Sequence, residues 1–241
     1  MLASLARRFA NLAFGGTCYL CRGAAAGVLC ADCDAELPRL DDAVCPRCAL
    51  PSPGGAVCGR CLVRAPAYDG TLAALSYEFP ADVLVQGLKF RGELALAPLL
   101  GQMLATRLPR GTRVDYILPV PLARARLRER GFNQALELAR FAMIGIARAP
   151  KLKPAGGLPR LERSVLHRTR ETRSLGHASP AVRFAEVAGA FVVSDSARVR
   201  NRRVVVVDDV YTTGATFSEC SDALISAGAA DVHVLALARA V

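Results

Sequence analysis

The sequence predicts an α/β protein in which a mainly parallel, twisted sheet is flanked by helices and preceded by a small cysteine-rich module. Three observations point there. Eight of the nine cysteines fall between Cys18 and Cys61, in four CxxC pairs. After Pro66, strand-like and helix-like segments alternate, the pattern of a sheet covered by helices. The runs AGAFVV at 188–193, RVVVVD at 203–208 and VHVLAL at 232–237 are apolar without alternation, as strands buried on both faces need to be. At 241 residues and 52% hydrophobic content, the chain can bury one ordinary domain beside a small module.

Residues 1–16 place Leu2, Leu5, Phe9 and Leu12 at helical spacing, which predicts a short amphipathic helix packing on the body of the protein. Arg7 and Arg8 interrupt the apolar run, so no secretory signal is expected. No stretch reaches the roughly 18 uncharged apolar residues of a membrane span. A soluble, cytoplasmic protein is the expectation.

Residues 17–65 hold CYLC (Cys18, Cys21), CADC (Cys30, Cys33), CPRC (Cys45, Cys48) and CGRC (Cys58, Cys61). Two residues between cysteines let both thiolates of a tight knuckle point at one tetrahedral ion, and two knuckles close one site. The gaps are eight residues after Cys21 and nine after Cys48. Sequential pairing therefore predicts a double zinc ribbon holding two zinc ions, with a crossed pairing as the alternative. A disulfide framework would need an oxidising compartment, which nothing in the sequence indicates. A redox CxxC would need a thioredoxin-like strand and helix around it. Cys220 stands alone in a helical pattern and reads as a buried thiol.

Residues 66–241 form the larger domain. TLAALSY at 71–77 reads as a strand, 80–90 and 93–107 as helices, VDYIL at 114–118 as a short strand, and 133–147 as a helix capped by Asn133. Pro, Gly, Arg and Thr between about 150 and 180 suggest a long exposed loop. Charge is uneven. Between Arg107 and Arg173, 16 Lys/Arg stand against 5 Asp/Glu, so this segment holds the whole of the formal +10. Phosphates, nucleic acid or anionic lipid are the partners such a segment suits; an Arg-rich solvated face is the plain alternative.

Residues 204–216, VVVVDDVYTTGAT, join these readings. A buried strand ends in Asp208 and Asp209, and TTGAT leads into a helix near Thr216. Ligands of open α/β sheets bind at the carboxyl ends of the strands, so both acids lie where a ligand would. Unpaired N–H groups and the dipole at the helix start favour a phosphate. Gly214 permits close backbone approach, and Thr212, Thr213 and Thr216 add hydroxyls. Carboxylates would not bind that phosphate, but they suit ribose hydroxyls or a divalent cation. A Walker loop would require GK[ST], which is absent.

These thirteen residues resemble the phosphoribosyl pyrophosphate (PRPP) motif of type I phosphoribosyltransferases. LKFRG at 88–92, LPVPL at 118–122 and RERGFNQA at 128–135, with cysteine ribbons in front, resemble the ComF family (competence protein F, also called GntX-like) over nearly the whole chain. The resemblance implies a type I phosphoribosyltransferase-like domain. It puts Asp208 and Asp209, the catalytic candidates, on the ribose hydroxyls. It wraps Thr212, Thr213, Gly214, Ala215 and Thr216 around the 5′-phosphate, and sets the pyrophosphate, with magnesium, near the loop after 118–122. Lys89, Arg130 and Asn133 are the polar side chains expected there. One segment departs from the family pattern: Arg183 and Phe191 are kept, but Glu186 stands where the family often has Asn, and a Gln-containing stretch is missing.

The resemblance also implies handling of single-stranded DNA during natural transformation, to which a basic segment and zinc ribbons are suited. Stacking candidates are few: Tyr19, Tyr68, Phe90 and Phe132, with no Trp in the chain. The ribbons could equally hold a protein partner such as a helicase of the uptake machinery. A rival function is an active phosphoribosyltransferase whose acceptor is unidentified. His167, His177 and His233 form no evident acid/base set, and His233 reads as a core histidine.

Overall fold

A computed structural model describes residues 15–108, 112–172 and 179–240. Apart from Gly15 and Gly16, the expected N-terminal helix lies outside the described residues, as does His177. Each cysteine ribbon ends in one helical turn and a half: α1 (Ala31–Ala35) and α2 (Gly59–Val63). The larger domain then runs β1 (Gly70–Ser76), α3 (Ala81–Arg91), α4 (Ala97–Arg107), β2 (Tyr116–Pro119), α5 (Arg124–Arg130) and α6 (Gln134–Arg148). It continues with β3 (Arg160–Leu161), β4 (Leu166–Arg168), α7 (Pro180–Val187), β5 (Phe191–Val193), α8 (Ser196–Val199), β6 (Arg203–Tyr211), α9 (Ala215–Ser226) and β7 (Asp231–Arg239).

The main sheet has the order β1-β7-β6-β2-β3, and all its pairs are parallel. The valine run of β6 is buried on both faces: Val205 and Val207 join a core with α3, α4 and α6, while Val204 and Val206 join a second core with α9. That division locates a crevice. Strands β2 and β6 are neighbours, yet the helix α6 that follows β2 packs on one face and α9, which follows β6, packs on the other. Helices parting to opposite faces leave a gap above the strand ends, the usual ligand position in such sheets.

The ribbons are built onto the free edge of β1. Leu40 N donates to Ala74 O (3.1 Å), Ser76 N to Pro38 O (2.8 Å) and Thr71 N to Pro46 O (2.9 Å), and Arg39 bridges Leu75 in antiparallel fashion. An edge strand with unpaired N–H and C=O groups templates unwanted pairing; here the ribbon segment occupies it. Tyr19, Val28 and Leu37 of the first ribbon extend one core, and Cys45, Cys48, Ala49 and Cys61 of the second extend the other.

Two expectations are corrected. The run at 188–193 is not a strand of the main sheet: only β5 is extended, and it pairs antiparallel with β4 in a separate two-stranded sheet. Phe191 is buried there but Val192 is exposed, so an apolar run marked burial of one face, not of two. The expected loop at 150–180 also carries structure, because β3 adds to the main sheet beside β2 and β4 forms half of the small sheet. Helix α6 begins as expected: the Asn133 side chain accepts from Ala135 N and Leu136 N, satisfying donors that have no partner within the helix. Cys220 is fully buried in α9, and burial pushes its thiol well above the ordinary value. His233 is partly exposed rather than in the core, with Nδ1 3.1 Å from Asp231 at the start of β7. His167 turns to Ser164 O and Ser194 Oγ.

Candidate sugar-phosphate cleft and zinc centres

An open cleft of about 330 Å³ lies above the ends of β2 and β6. Its lining brings together Lys89, Arg130, Asp208, Asp209 and the whole stretch from Thr212 to Thr216. These residues come from α3, α5, β6 and the loop into α9, so four separate elements meet in one place. Asp208 Oδ1 accepts from Asp209 N (2.9 Å) and Asp209 Oδ1 from Val210 N (2.8 Å). Lys89 Nζ sits 2.9 Å from Asp209 Oδ2.

The two acids differ in charge state. Burial, then the neighbouring Asp209 carboxylate, pushes Asp208 up to about 7. Burial acts on Asp209 in the same direction, but the Lys89 ammonium outweighs it and holds Asp209 below the usual carboxylate range. Lys89 in turn is held above its ordinary value: burial opposes its charge, and Asp209 and Asp208 overcome that. Asp209 Oδ2 is buried and has this ion partner but no well-directed hydrogen bond. An ionised, under-bonded oxygen next to an acid whose proton is held more tightly fits a divalent cation or ribose hydroxyls.

The loop is shaped by glycine. Gly214 has φ +84°, and a Cβ there would come within 2.5 Å of Tyr211 Oη. Tyr211 Oη is itself 2.5 Å from Tyr68 Oη. Gly214→Ala is therefore expected to cost about 1–3 kcal/mol, from strained backbone and a displaced tyrosine pair; urea denaturation of the variant beside wild type measures it. From α7, Arg183 reaches across to donate to Thr212 Oγ1 (3.1 Å), and Glu186 lines the same wall.

Asn133 alone among the expected binding residues is not in the cleft. Its amide donates to Val120 O (3.0 Å) while its oxygen caps α6, so it ties the loop after β2 to the helix. Its neighbour Gln134 lines the cleft and accepts from Arg130. Arg126 and Arg168 also line it. The sequence reading missed both arginines: Arg168 arrives through the β4–β5 pairing, a long-range contact without local spacing to announce it. The acids thus share the cleft with residues 212–216 and with Arg126, Arg130 and Arg168. Of the four stacking candidates, Tyr19 and Tyr68 are buried, Phe132 is partly buried and Phe90 is exposed at the cleft rim.

The cysteines resolve into the sequential pairing: Cys18, Cys21, Cys30 and Cys33 form one cluster, and Cys45, Cys48, Cys58 and Cys61 the other. Cys21 Sγ and Cys30 Sγ are 3.7 Å apart, and Cys48 Sγ and Cys58 Sγ 3.6 Å. A tetrahedron of 2.3 Å Zn–S bonds would space its sulfurs about 3.8 Å apart. Backbone donors face the sulfurs, with Gly23 N on Cys21 Sγ (3.4 Å) and Cys58 N on Cys45 Sγ (3.3 Å), as thiolate ligands require. Both clusters fit zinc, one ion each.

The molecule is thus a double zinc ribbon joined to a parallel α/β domain whose crevice is lined by an acidic pair, the 212–216 loop and several arginines. A family profile described as a double zinc ribbon domain matches residues 9–62. The DNA utilization protein YhgH of Escherichia coli O6:H1 is 33% identical over 238 residues, covering 93% of this chain and 97% of that protein. Competence protein F of Haemophilus influenzae is 29% identical over 74% of this chain and 76% of its own. Competence protein ComFC of Streptococcus pneumoniae is 26% identical over 88% and 87%. The chain belongs to the ComF family. Among solved structures, a glutamine PRPP amidotransferase from B. subtilis superposes with a TM-score of 0.36 at 24% identity, over 57% of this chain and 25% of that one.

Proposed function

We infer that this protein binds PRPP or a similar sugar phosphate together with magnesium, and serves in the cytoplasm in handling single-stranded DNA taken up by the cell. The observation that supports the first part is the junction at the end of β6. Asp208 and Asp209 would take ribose hydroxyls or the cation, and residues 212–216 would cradle the 5′-phosphate. Magnesium, when bound, supplies charge neutralisation for the diphosphate. Arg126, Arg130 and Arg168 would face the same group from the protein side, while Lys89 keeps Asp209 ionised. The names of the relatives, DNA utilization protein and competence protein, support the DNA part. The second ribbon leaves Leu62 and Val63 exposed, a surface suited to a protein partner such as a helicase of the uptake machinery.

A second reading is an active phosphoribosyltransferase with an unidentified acceptor. It is favoured by the arginines that line the cleft, since the guanidiniums of Arg126, Arg130 and Arg168 would stabilise a departing pyrophosphate. Calorimetric titration of the zinc-loaded protein with PRPP and magnesium tests the common ground. Binding in wild type, lost in Asp208→Asn/Asp209→Asn, is the expected result; absence of binding in wild type sinks the sugar-phosphate reading. In a companion titration, a single-stranded oligonucleotide should lose about 10³-fold in affinity between 50 and 200 mM salt if it makes some six phosphate contacts. No binding at low salt would assign DNA contact to a partner protein.

A further inference from the structure

Arg239 ends β7 with its side chain almost wholly buried. Its Nε donates to Cys48 O at 2.7 Å, and one terminal nitrogen donates to Thr212 O at 2.8 Å, to Tyr211 O at 3.1 Å and to Ala240 O. The guanidinium also lies 4.2 Å from the Tyr211 ring centroid. Cys48 is a ligand of the second cysteine cluster. One planar cation therefore spans from a zinc knuckle to the first residues of the anion loop.

The direction of these bonds matters. In a planar trans peptide the C=O of one residue and the N–H of the next point opposite ways. The Tyr211 carbonyl, held also by Ala240 N (2.9 Å), and the Thr212 carbonyl face Arg239, so the N–H groups of Thr212 and Thr213 face the other way; neither has a backbone partner among the described residues, and both residues line the cleft. Repulsion from those two carbonyl dipoles, which an approaching anion would otherwise meet, is cancelled in the same step. The Tyr68–Tyr211 hydroxyl pair braces the loop from the same side, next to Gly214. The first ribbon makes a different contact: Tyr19 Oη accepts from Arg91 of α3 (2.6 Å), remote from this loop.

We propose that Arg239 is a positioning residue that braces the anion loop on the second zinc knuckle, so that zinc in the Cys45/Cys48/Cys58/Cys61 cluster and a sugar phosphate at residues 212–216 strengthen each other's binding. This rests on the sugar-phosphate reading of the loop. Coupling of this kind is reciprocal. Lysine does not substitute, because a single ammonium lacks the planar fork that reaches Cys48 and Thr212 together.

Hydrogen exchange of the full chain tests it through two amides that bond loop carbonyls: Ser218 N on Gly214 O and Ala240 N on Tyr211 O. Arg239→Lys and Cys58→Ser should each speed exchange there at least tenfold, with Cys21→Ser within twofold of wild type and the β6 core amides of Val205 and Val206 unchanged. Ribose 5-phosphate should bind Arg239→Lys at least tenfold more weakly. It should slow zinc release to a chelator from the second cluster of wild type, but not from that of the variant. Exchange within twofold of wild type in Arg239→Lys, or equal effects of Cys58→Ser and Cys21→Ser, overturns the brace. If Cys58→Ser does not fold, Arg239→Lys decides alone. Failure of wild type to bind ribose 5-phosphate would instead count against the site reading, and the exchange data would still judge the brace.

Discussion

Stripping zinc with a strong chelator is expected to unfold residues 17–65 and to release the β1 edge. The segment has almost no core of its own: its buried apolar side chains, among them Tyr19, Val28, Leu37 and Ala49, are distributed between the two cores of the sheet domain. What gives it shape is the pair of four-cysteine clusters. Structural zinc in comparable peptides contributes about 10–16 kcal/mol per ion near neutral pH, more than the whole stability of a typical domain. Metal analysis should return two zinc ions per chain. After chelation, protease should cut within 17–65, and the amides of Thr71 and Ser76, which donate to Pro46 O and Pro38 O, should lose protection. Their continued protection in metal-free protein would mean that packing on the sheet, not the ions, folds the ribbons.

What the sequence made legible was local. Spacing marked the four cysteine knuckles and left a crossed pairing open, which the structure resolves as sequential; Asn133 marked a helix start by its short acceptor side chain, and four valines declared a strand buried on both faces. Lys89, Arg130, Asp208, Asp209 and residues 212–216 converge as expected because each sits at an element's end, where a sheet of this kind gathers its ligands. The failures have one physical origin, which is pairing across distance. Nothing near Phe191 says that β5 leaves the main sheet for β4, and so nothing announced Arg168 in the cleft. Asn133 was misplaced for a related reason: one side chain serves both the α6 cap and Val120 O, and only the fold shows that its capacity is used up. The basic segment likewise divides. Arg126, Arg130 and Arg168 enter the cleft, while Arg113 and Arg140 pair with Asp115 and Glu137.

Asp208→Asn and Asp209→Asn are expected to shift stability in opposite directions although both remove one carboxylate from adjacent positions. Asp208 is raised to about 7 in the folded protein, against roughly 3.9 for an unfolded aspartate. A raised carboxylate costs nothing below the unfolded value; the cost grows as pH climbs towards the folded value and is complete above it. Asparagine removes that cost and keeps an oxygen for Asp209 N. Asp208→Asn should therefore gain roughly 1–3 kcal/mol at pH 8 and little at pH 4, the cleft leaving part of the side chain open to water. Asp209 is depressed by Lys89, so its contribution is present at neutral pH and lost on acidification through its folded value. Asp209→Asn takes from a largely buried ammonium its 2.9 Å carboxylate partner, leaving Asp208 and the Phe90 ring beside it, and should cost on the order of 3 kcal/mol at pH 8. Urea denaturation of both variants at pH 8 and pH 4 reads the two signs. Each should also lose sugar-phosphate binding, so Asp208→Asn would be a more stable and less competent protein, the trade expected where a charge is kept buried for function. A destabilised Asp208→Asn at pH 8 would show that this carboxylate is held in the fold for its own contacts and not for a ligand's.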